Sequence, residues 1–370
     1  MKKNIFVDLH VLQTVPPSCV NRDDTGSPKT AIYGGTLRSR VSSQAWKRAM
    51  RLMFKDEFEA DKIGFRTRNI SLLLKEELKK KNEEWSEESL EEISNKILEL
   101  GDIKSSGKKD VLFFISSLQI KELATIAEEY STERKEKSKA KELEKKYKRI
   151  IEKALIEKPS VDILLFGRMA ANNVNLNYDA AVQVSHAIST HTISNEYDYF
   201  TACDDVSVDG KTGAGHLGTV EFNSSTMYRY ANINVGELAY KDRLDKDDIV
   251  EIVGGFINAF VKSMPTGKQN TFANRTLPYF VYATVRTDQP INFVSAFEKP
   301  VKRSENGFEE KSEIALIDEI NGIYENYSAK PEKAFVLGKA DTYEIGEKVK
   351  YNDLVEKITN AVEKLLGKED

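Results

Sequence analysis

A helical stretch that begins near Gln44 carries positive charges at a spacing suited to binding phosphate. Lys47 and Arg51 lie one turn apart on one stripe of this helix, and Arg48 lies beside them. Trp46 falls on the opposite, apolar face, so a rigid element presents the cations. An ordinary amphipathic helix with a basic, solvated face would show the same spacing. The absence of acidic residues around it favours phosphate binding.

Hydroxyl groups cluster where this helix begins. Ser42 and Ser43 are suitable N-cap residues, and Ser39 and Gln44 flank them. The first turn of a helix exposes backbone N–H groups without an intrahelical partner, and the helix dipole favours negative charge there. We therefore expect this end of the helix to bind phosphate oxygens.

The distribution of charge indicates the same region, although the net charge does not. The chain of 370 residues has 55 Lys and Arg against 59 Asp and Glu, and its formal net charge of −4 argues by itself against a nucleic-acid partner. Two stretches nevertheless contain no acid: 25–55, with Lys29, Arg38, Arg40, Lys47, Arg48, Arg51 and Lys55, and 252–287, with Lys262, Lys268, Arg275 and Arg286. We expect them to form one positive groove on an otherwise solubilising surface.

No motif typical of catalysis or of metal binding stands out. Gly210-Lys211-Thr212 imitates the end of a phosphate-binding P-loop, but the leading position is Asp205 and no helical pattern follows. The histidines show no recognisable ligand spacing; they are His10, His186, His191 and His216. We expect no metal, no cofactor and no enzymatic activity. The alternative is an RNA endonuclease in which Asp8, Asp23 or Asp24 positions a metal ion or a water near the basic groove.

We expect a cytoplasmic protein with reduced cysteines and without a membrane-spanning segment. Cys19 and Cys203 are far apart and outside any C-x-x-C spacing, which favours two free thiols. The first residues run from two lysines directly into a strand pattern, and no later stretch is apolar for long enough to span a bilayer.

The hydrophobic pattern predicts an α+β fold. Residues 4–12 alternate like a half-buried strand, with Val7 and Leu9 on one face and Asp8 and His10 on the other. Asp245 caps an amphipathic helix between strands predicted near 219–234 and 276–286, and 351–366 is predicted to be a closing helix. The order strand–helix, insertion, strand–helix–strand is typical of a ferredoxin-like sheet interrupted by large insertions.

Two segments differ in composition from this sheet. From residue 61 to 159 the chain is rich in Lys, Glu, Leu and Ile, which predicts a helical insertion, and the run 131–149 reads as one solvated helix with i,i+4 pairs. Residues 193–218 are polar and glycine-rich, which predicts a protruding loop or hairpin. Arg168 and Met169 follow an apolar run, where an arginine for phosphate and a methionine able to wedge against bases would suit a nucleic-acid site.

Several short motifs, spread over most of the chain, are specific in combination. They are PSCVNRDD at 17–24, IYGG at 32–35, RVSSQ at 40–44, KRAMR at 47–51, GRMA at 167–170, AISTH at 187–191, HLGT at 216–219 and YRYANIN at 228–234. In these motifs the chain resembles the CasC family, the repeated backbone (Cas7-type) subunit of the type I-E CRISPR surveillance complex called Cascade. The charged insertion and the tail beyond Arg303 match it only in general character.

The resemblance implies a right-hand architecture with an RNA-recognition-type palm. Its parts would be the first part of the palm at 1–60, helical fingers at 61–184, a short return to the palm at 185–192, a thumb at 193–223, and the second part of the palm with the C-terminal helix at 224–370. Guide phosphates would be held by Arg22, Ser42, Gln44, Lys47, Arg51 and Lys268. Arg168, Met169 and Thr201 would lie near a base displaced at every sixth position. The sequence itself adds Lys29, Ser39, Arg40, Ser43 and Arg48 to the candidate RNA-binding residues.

The partners implied are CRISPR RNA (crRNA), target DNA through pairing with that guide, other copies of the chain in a helical filament, and other Cascade subunits. An RNA endonuclease of the same superfamily is the alternative. A helical interaction scaffold without nucleic acid would explain the insertion but not the acid-free basic stretches.

Overall fold

The first strand, β1 (Phe6–Ser18), lies inside a ten-stranded sheet of the described chain. The structure, a computed structural model, describes residues 4–103, 112–136, 140–170, 173–202, 216–241, 244–339 and 344–367. The chain divides into two units, one formed by Met1–Met53 with Gln183–Asp370 and the other by Phe54–Val182. We refer to them as the sheet unit and the helical unit.

The remaining elements follow in chain order. The strands are β2 (Thr30–Tyr33), β3 (Thr36–Val41), β4 (Gly64–Thr67), β5 (Phe113–Ser116), β6 (Val182–Val184), β7 (Ala187–Ser189), β8 (Glu196–Ala202), β9 (His216–Asn234), β10 (Phe280–Arg286), β11 (Lys333–Leu337) and β12 (Glu347–Lys348). The helices are α1 (Ser43–Glu57), α2 (Ile70–Lys81), α3 (Glu87–Leu100), α4 (Ser117–Glu136), α5 (Ala140–Ile156), α6 (Val161–Phe166), α7 (Val235–Lys241), α8 (Lys246–Lys262), α9 (Gln269–Phe272), α10 (Glu309–Asn326) and α11 (Tyr351–Leu366).

The centre of the sheet has the ferredoxin-like strand order. The order β10-β1-β9-β7 is antiparallel throughout, α1 follows β1 in the chain, and α8 connects β9 to β10. The expected α+β fold is therefore confirmed. The β2–β3 hairpin extends the sheet beyond β7, and β11 and β12 extend it beyond β10.

The expectation that β1 is a half-buried strand was wrong, because both of its faces are covered. Val7 and Leu9 are fully buried on one face, as expected, and Asp8 and His10 are also at most 1% exposed on the other. A second core, to which α10 contributes, includes Phe293, whose ring centroid lies 4.7 Å from that of His10. Alternation predicted the strand but could not show what covers its polar face.

The carboxyl group of Asp8 makes the stability of this core depend on pH. Asp8 accepts hydrogen bonds from Tyr230 Oη at 2.9 Å, Asn232 Nδ2 at 2.8 Å and the Ile291 backbone N–H at 3.1 Å. Burial nevertheless raises the pKa of Asp8 to about 6. Because the folded protein takes up this proton more readily than the unfolded chain, we expect Asp8 to contribute about 3 kcal/mol more stability below pH 4 than above pH 6.

Urea unfolding of the wild type and of Asp8→Asn at several pH values tests this prediction. The free energy of unfolding of the wild type should rise relative to that of the variant as the pH falls through 6. A constant difference between the two proteins across this range would contradict it.

The helices that pack on the sheet follow their predicted faces. In α1, Trp46 and Met50 are buried, and in α8 the inward set is buried as expected, namely Ile249, Ile252, Val253, Phe256 and Phe260. Asp245 caps α8 by accepting a hydrogen bond from the Asp248 N–H at 2.8 Å. The closing helix α11 has the predicted bounds.

The helical unit is mostly helical but also contains two short strands that the hydrophobic pattern did not predict. Strands β4 and β5 have four residues each, too short for a periodic signal, and pair with each other. The described part of the run 131–149 belongs to two helices, α4 and α5. Tyr130 and Tyr147 pack edge to face between these helices, with ring centroids 5.1 Å apart.

The glycine-rich excursion contains a β-hairpin. Strand β8 pairs with the first part of β9 from Glu196↔Phe222 to Ala202↔His216. The predicted loop residues Asp204, Asp205, Gly210 and Lys211, together with Cys203, lie outside the described residues. Along the described chain, none of the helices combines the length and the apolar composition that crossing a membrane requires.

Candidate nucleic-acid interface

The start of α1 is held by a side chain from an earlier loop. The Ser42 backbone N–H donates to Asn21 Oδ1 at 2.9 Å, and Ser42 Oγ accepts a long hydrogen bond from the Ala45 N–H at 3.4 Å. Ser42 is buried, whereas Ser43 is half-buried and Gln44 is exposed. Ser42 thus supports the geometry of the helix terminus, and Ser43 and Gln44 are the polar side chains that reach solvent there. The first turn of α1 contains no acidic residue.

Lys29 and Arg40 lie next to this helix start. The Lys29 N–H donates to the Asn21 carbonyl at 2.8 Å, and the Arg40 N–H donates to the Lys29 carbonyl at 2.9 Å. Asn21, Lys29 and Arg40 line one shallow pocket between β1, β3 and β9. The Arg40 guanidinium donates through Nε to the Thr30 carbonyl at 3.0 Å and through Nη1 to His186 Nδ1 at 3.1 Å.

His186 serves as an acceptor for Arg40. An arginine has only donors, so the 3.1 Å contact requires Nδ1 of His186 to be unprotonated. Burial lowers the pKa of His186, and the charges of Arg40 and Lys29 lower it further. The imidazole is thus neutral at physiological pH, and Arg40 remains the local cation.

Lys268 of the second basic stretch lies near Arg22, which precedes the first stretch in the chain. Burial raises the pKa of the Cys19 thiol, and the nearby charges of Arg22 and Lys268 oppose that rise. The loop before α9 lies directly on this segment, since a Cβ added to Gly267 would come within 2.1 Å of the Val20 carbonyl oxygen. We call Arg22, Lys29, Arg40 and Lys268, together with the first turn of α1, the basic surface.

The basic surface is less uniformly positive than the sequence indicated. Asp23 and Glu221 also act on the Cys19 thiol and raise its pKa. Asp23 Oδ1 accepts hydrogen bonds from Thr25 Oγ1 at 2.7 Å and from the N–H groups of Thr25 and Ser27 at 3.0 Å each. The Thr25 hydroxyl bond contributes most to lowering the pKa of Asp23. This carboxylate therefore organises the 23–27 turn.

The cations of α1 continue from the basic surface along the helix. Arg48 is exposed, and Lys47 and Arg51 are half-buried. Burial lowers the pKa of Lys47. The buried positions of Trp46 and Met50 show that the cationic and apolar faces are those expected.

Two arginines of the acid-free stretches do not belong to a groove. Arg38 is buried and donates to the carbonyls of Ser189 at 2.8 Å and Phe297 at 2.9 Å. Arg286 is 1% exposed and pairs with Asp288 at 2.6 Å. Ser39 is also buried, and its hydroxyl donates to Asn223 Oδ1 at 3.1 Å. These side chains stabilise the sheet unit from inside.

The expected role of Arg168 as a phosphate ligand does not agree with its position. Its guanidinium is 5% exposed inside the helical unit and donates to the carbonyls of Leu176 at 2.8 Å and Leu155 at 2.6 Å. Burial lowers its pKa to about 10, so it stays charged at neutral pH. The neighbouring Met169 is 81% exposed. Arg168 thus anchors the backbone from which Met169 projects.

Thr201 lies far along the hairpin from the basic surface. Thr201 of β8 pairs with Leu217 of β9, whereas Asn223, which also belongs to β9, lines the shallow pocket. Six residues of extended strand separate these two β9 positions, which corresponds to roughly 20 Å. Thr201 is exposed.

Three of the groups considered for catalysis, namely His10, His191 and Asp8, have structural surroundings. His10 is fully buried, and its Nδ1 forms a hydrogen bond with Tyr228 Oη at 2.9 Å. Burial lowers the pKa of His10 to about 3. His191 accepts from the Thr226 N–H through Nε2 and stacks on Phe308 with centroids 3.6 Å apart. Asp8 is enclosed by the hydrogen bonds given above. Within the described ranges, no group of three or more His, Cys, Asp or Glu side chains could hold a metal ion.

Asn21 and Asn223 support the site, although neither is among the residues that the sequence predicted for it. Asn21 connects the loop after β1 to α1, and Asn223 holds Ser39. Both are small amides without a periodic signal. Asn21 lies between Cys19 and Arg22 in the motif at 17–24, and this position is the signal in the sequence that could have assigned it to the site. Asn223 lies in none of the quoted motifs.

Comparisons with known proteins agree along nearly the whole chain. The profile of a family described as CT1975-like protein matches residues 7–364. A solved structure titled "CRISPR RNA-guided surveillance complex, pre-nicking" contains a chain that is 32% identical, with a TM-score of 0.82 over 96% of this chain and 100% of that chain. Another, titled "CRISPR RNA-guided surveillance complex", has a chain that is 28% identical, with a TM-score of 0.62 over 96% of this chain and 99% of that one. None of the curated proteins matches the sequence.

Proposed function

The chain belongs to the CT1975-like protein family, and from this premise we propose that it binds crRNA through the RNA backbone, as one of several copies and without chemistry of its own. The two similar chains both belong to complexes titled as CRISPR RNA-guided surveillance complexes, which supports a role in such an assembly. Within these assemblies, the motifs quoted above favour the CasC subunit of a type I-E Cascade.

The observation that carries the proposal is the convergence of cations from separate segments at the start of α1. Lys29 and Arg40 are linked to Asn21, which holds Ser42, and Arg22 and Lys268 both act on Cys19. Cations beside a helix N-terminus form a site for phosphate oxygens. The surface spans more than one loop, as a ligand with several phosphates requires.

The candidate residues differ in their proposed roles. We assign direct phosphate contacts to Arg22, Lys29, Arg40, Ser43, Gln44, Lys47, Arg48, Arg51 and Lys268. Ser39 and Ser42 support these residues from buried positions. Met169 and the β8–β9 hairpin with Thr201 would act on a displaced base, and Arg168 would act only by holding Met169.

Phosphate contacts without base contacts suit a guide that must keep its bases available. Single-stranded RNA held by its backbone can pair with a DNA strand, so that pairing and not the protein reads the sequence. Further copies would continue along the same RNA through a head-to-tail interface, and other Cascade subunits would bind the ends. The hairpin β8–β9 would reach the neighbouring copy.

We expect the purified chain to bind single-stranded RNA of unrelated sequences with similar affinity and to leave it intact. The reason is that the proposed contacts are to phosphates, that Asp8 is buried in the core, and that the exposed carboxylate of Asp23 is bound to the 23–27 turn. Incubation with end-labelled RNA, with and without Mg²⁺, measures binding and cleavage together.

Absence of RNA binding at low salt would contradict the proposal. Cleavage that is lost in Asp23→Ala would establish the endonuclease alternative instead. His10→Ala is not informative here, because His10 lies in the core and its removal acts on folding.

A further inference from the structure

Arg229 of β9 is a buried cation without a carboxylate partner. It is 1% exposed, and burial lowers its pKa to about 9. Among the described residues no carboxylate forms an ion pair with its guanidinium, and burial alone shifts its pKa. A buried charge of this kind costs free energy unless other groups compensate it, so its presence requires an explanation.

Three kinds of group compensate the charge of Arg229. Nη1 donates to Gln13 Oε1 at 2.6 Å, and Nη2 donates to the carbonyl of Phe260. Phe260 lies in the last turn of α8, where carbonyls lack intrahelical partners and the helix dipole favours a cation. The guanidinium also lies 3.7 Å from the ring centroid of Trp46 and 4.7 Å from that of Phe260.

These contacts connect Arg229 to two parts of the basic surface, the first turn of α1 and the segment that carries Lys268. Trp46 belongs to the beginning of α1, the helix end that carries Ser43 and Gln44. Gln13, held by Arg229, donates through Nε2 to the Thr276 carbonyl at 2.8 Å and to Met264 Sδ at 3.8 Å. Met264 and Thr276 lie on either side of the segment that carries Lys268.

We propose that Arg229 is a positioning residue that fixes the start of α1 and the 264–276 segment relative to each other, so that both contact the same phosphate backbone. This inference rests on the proposed RNA-binding function. Arg229 itself touches no RNA, because it is buried. A planar guanidinium suits this role, since it can lie against the rings of Trp46 and Phe260 while its two Nη atoms donate to separate oxygen atoms.

The principal test is Arg229→Met, which keeps an unbranched apolar side chain but removes the charge and the donors. We expect about 20-fold weaker binding of a labelled single-stranded RNA at 0.1 M salt, because two phosphate contacts worth about fivefold each lose their geometry. The slope of log affinity against log salt should fall by about 1.4. Arg286→Met is the matched control, a buried arginine of β10 outside the basic surface, and should leave RNA affinity unchanged.

A second variant keeps the proposal testable if Arg229→Met does not fold. Gln13→Glu preserves the shape and the bond to Arg229 but loses the Nε2 donor that binds Thr276. It should weaken RNA binding by about fivefold, because only the Lys268 contact is released.

Measurements without RNA separate this inference from the proposed function. In Arg229→Met, amide hydrogen exchange should accelerate at 43–47 and 264–276. Trp46 should become more accessible to acrylamide, read in a Trp85→Phe background because the chain has two tryptophans. If the wild type binds no RNA, the proposed function fails and these two measurements decide the positioning role. If the wild type binds RNA and the folded Arg229→Met protein binds it equally well, or exchange stays unchanged, the inference is overturned.

Discussion

The variant Arg22→Ala/Lys29→Ala/Lys268→Ala should bind single-stranded RNA about 100-fold more weakly than the wild type at 0.1 M salt. Each phosphate contact to a single strand contributes about 0.7 to the slope of log affinity against log salt, which corresponds to about fivefold in affinity between 1 M and 0.1 M. Three contacts together account for the expected loss. All three side chains are exposed or half-buried, so the substitutions should leave the core intact.

The salt dependence distinguishes this explanation from a general loss of charge. The slope should fall by about 2 in the triple variant, and the loss should be the same for unrelated RNA sequences. Lys330→Ala/Lys333→Ala/Lys364→Ala is the matched control, since it removes the same charge from exposed positions of the same unit. Equal weakening of RNA binding by the control variant would mean that the net charge of the protein determines the affinity. A loss that varies strongly with RNA sequence at an unchanged slope would mean that the residues read bases.

An assembled complex should tolerate target mismatches at every sixth guide position and should be weakened about tenfold by a mismatch at the positions between them. On the proposed function, a base displaced from the guide would not pair with DNA, so its identity would have no effect, whereas a lost pair elsewhere costs roughly 1.4 kcal/mol. The 81% exposed side chain of Met169 is available to fill the gap left by the broken stack. A mismatch scan along the whole guide measures this.

A shortened hairpin tests which element causes the periodicity. Joining Asp198 to Val220 by an Asn-Gly turn removes Thr201 and retains the ladder pairs from Glu196↔Phe222 to Asp198↔Val220. The complex should then lose the periodic tolerance and assemble less well, because the same segment would bridge neighbouring copies. Met169→Leu should retain both. A smooth mismatch profile for the wild type would exclude the thumb role of the hairpin without affecting the RNA-binding proposal.

The sequence determined the elements whose signals are local. The apolar face of α1, the cap of α8 at Asp245 and the bounds of α11 all follow from periodicity and capping chemistry, which depend on residues within a few turns. The concentration of cations in two acid-free stretches was also visible without a structure. Strands β4 and β5 were missed because four residues carry too little pattern.

Which cations of the chain share a surface depends on the tertiary structure. Arg22 and Lys268 are 246 positions apart in the chain, and both act on Cys19 because the loop before α9 packs on the end of β1. Arg38, Arg168 and Arg286 look equally basic in the sequence, yet their guanidinium groups are buried and bound to internal oxygen atoms. Arg168 is covered by packing within the helical unit. For Arg38 and Arg286 the difference depends on the sheet order, because strand pairing determines which side chains are covered and which reach solvent. Arg229 shows this most clearly, since its link between α1 and the Lys268 segment exists only where β9 lies beside β1.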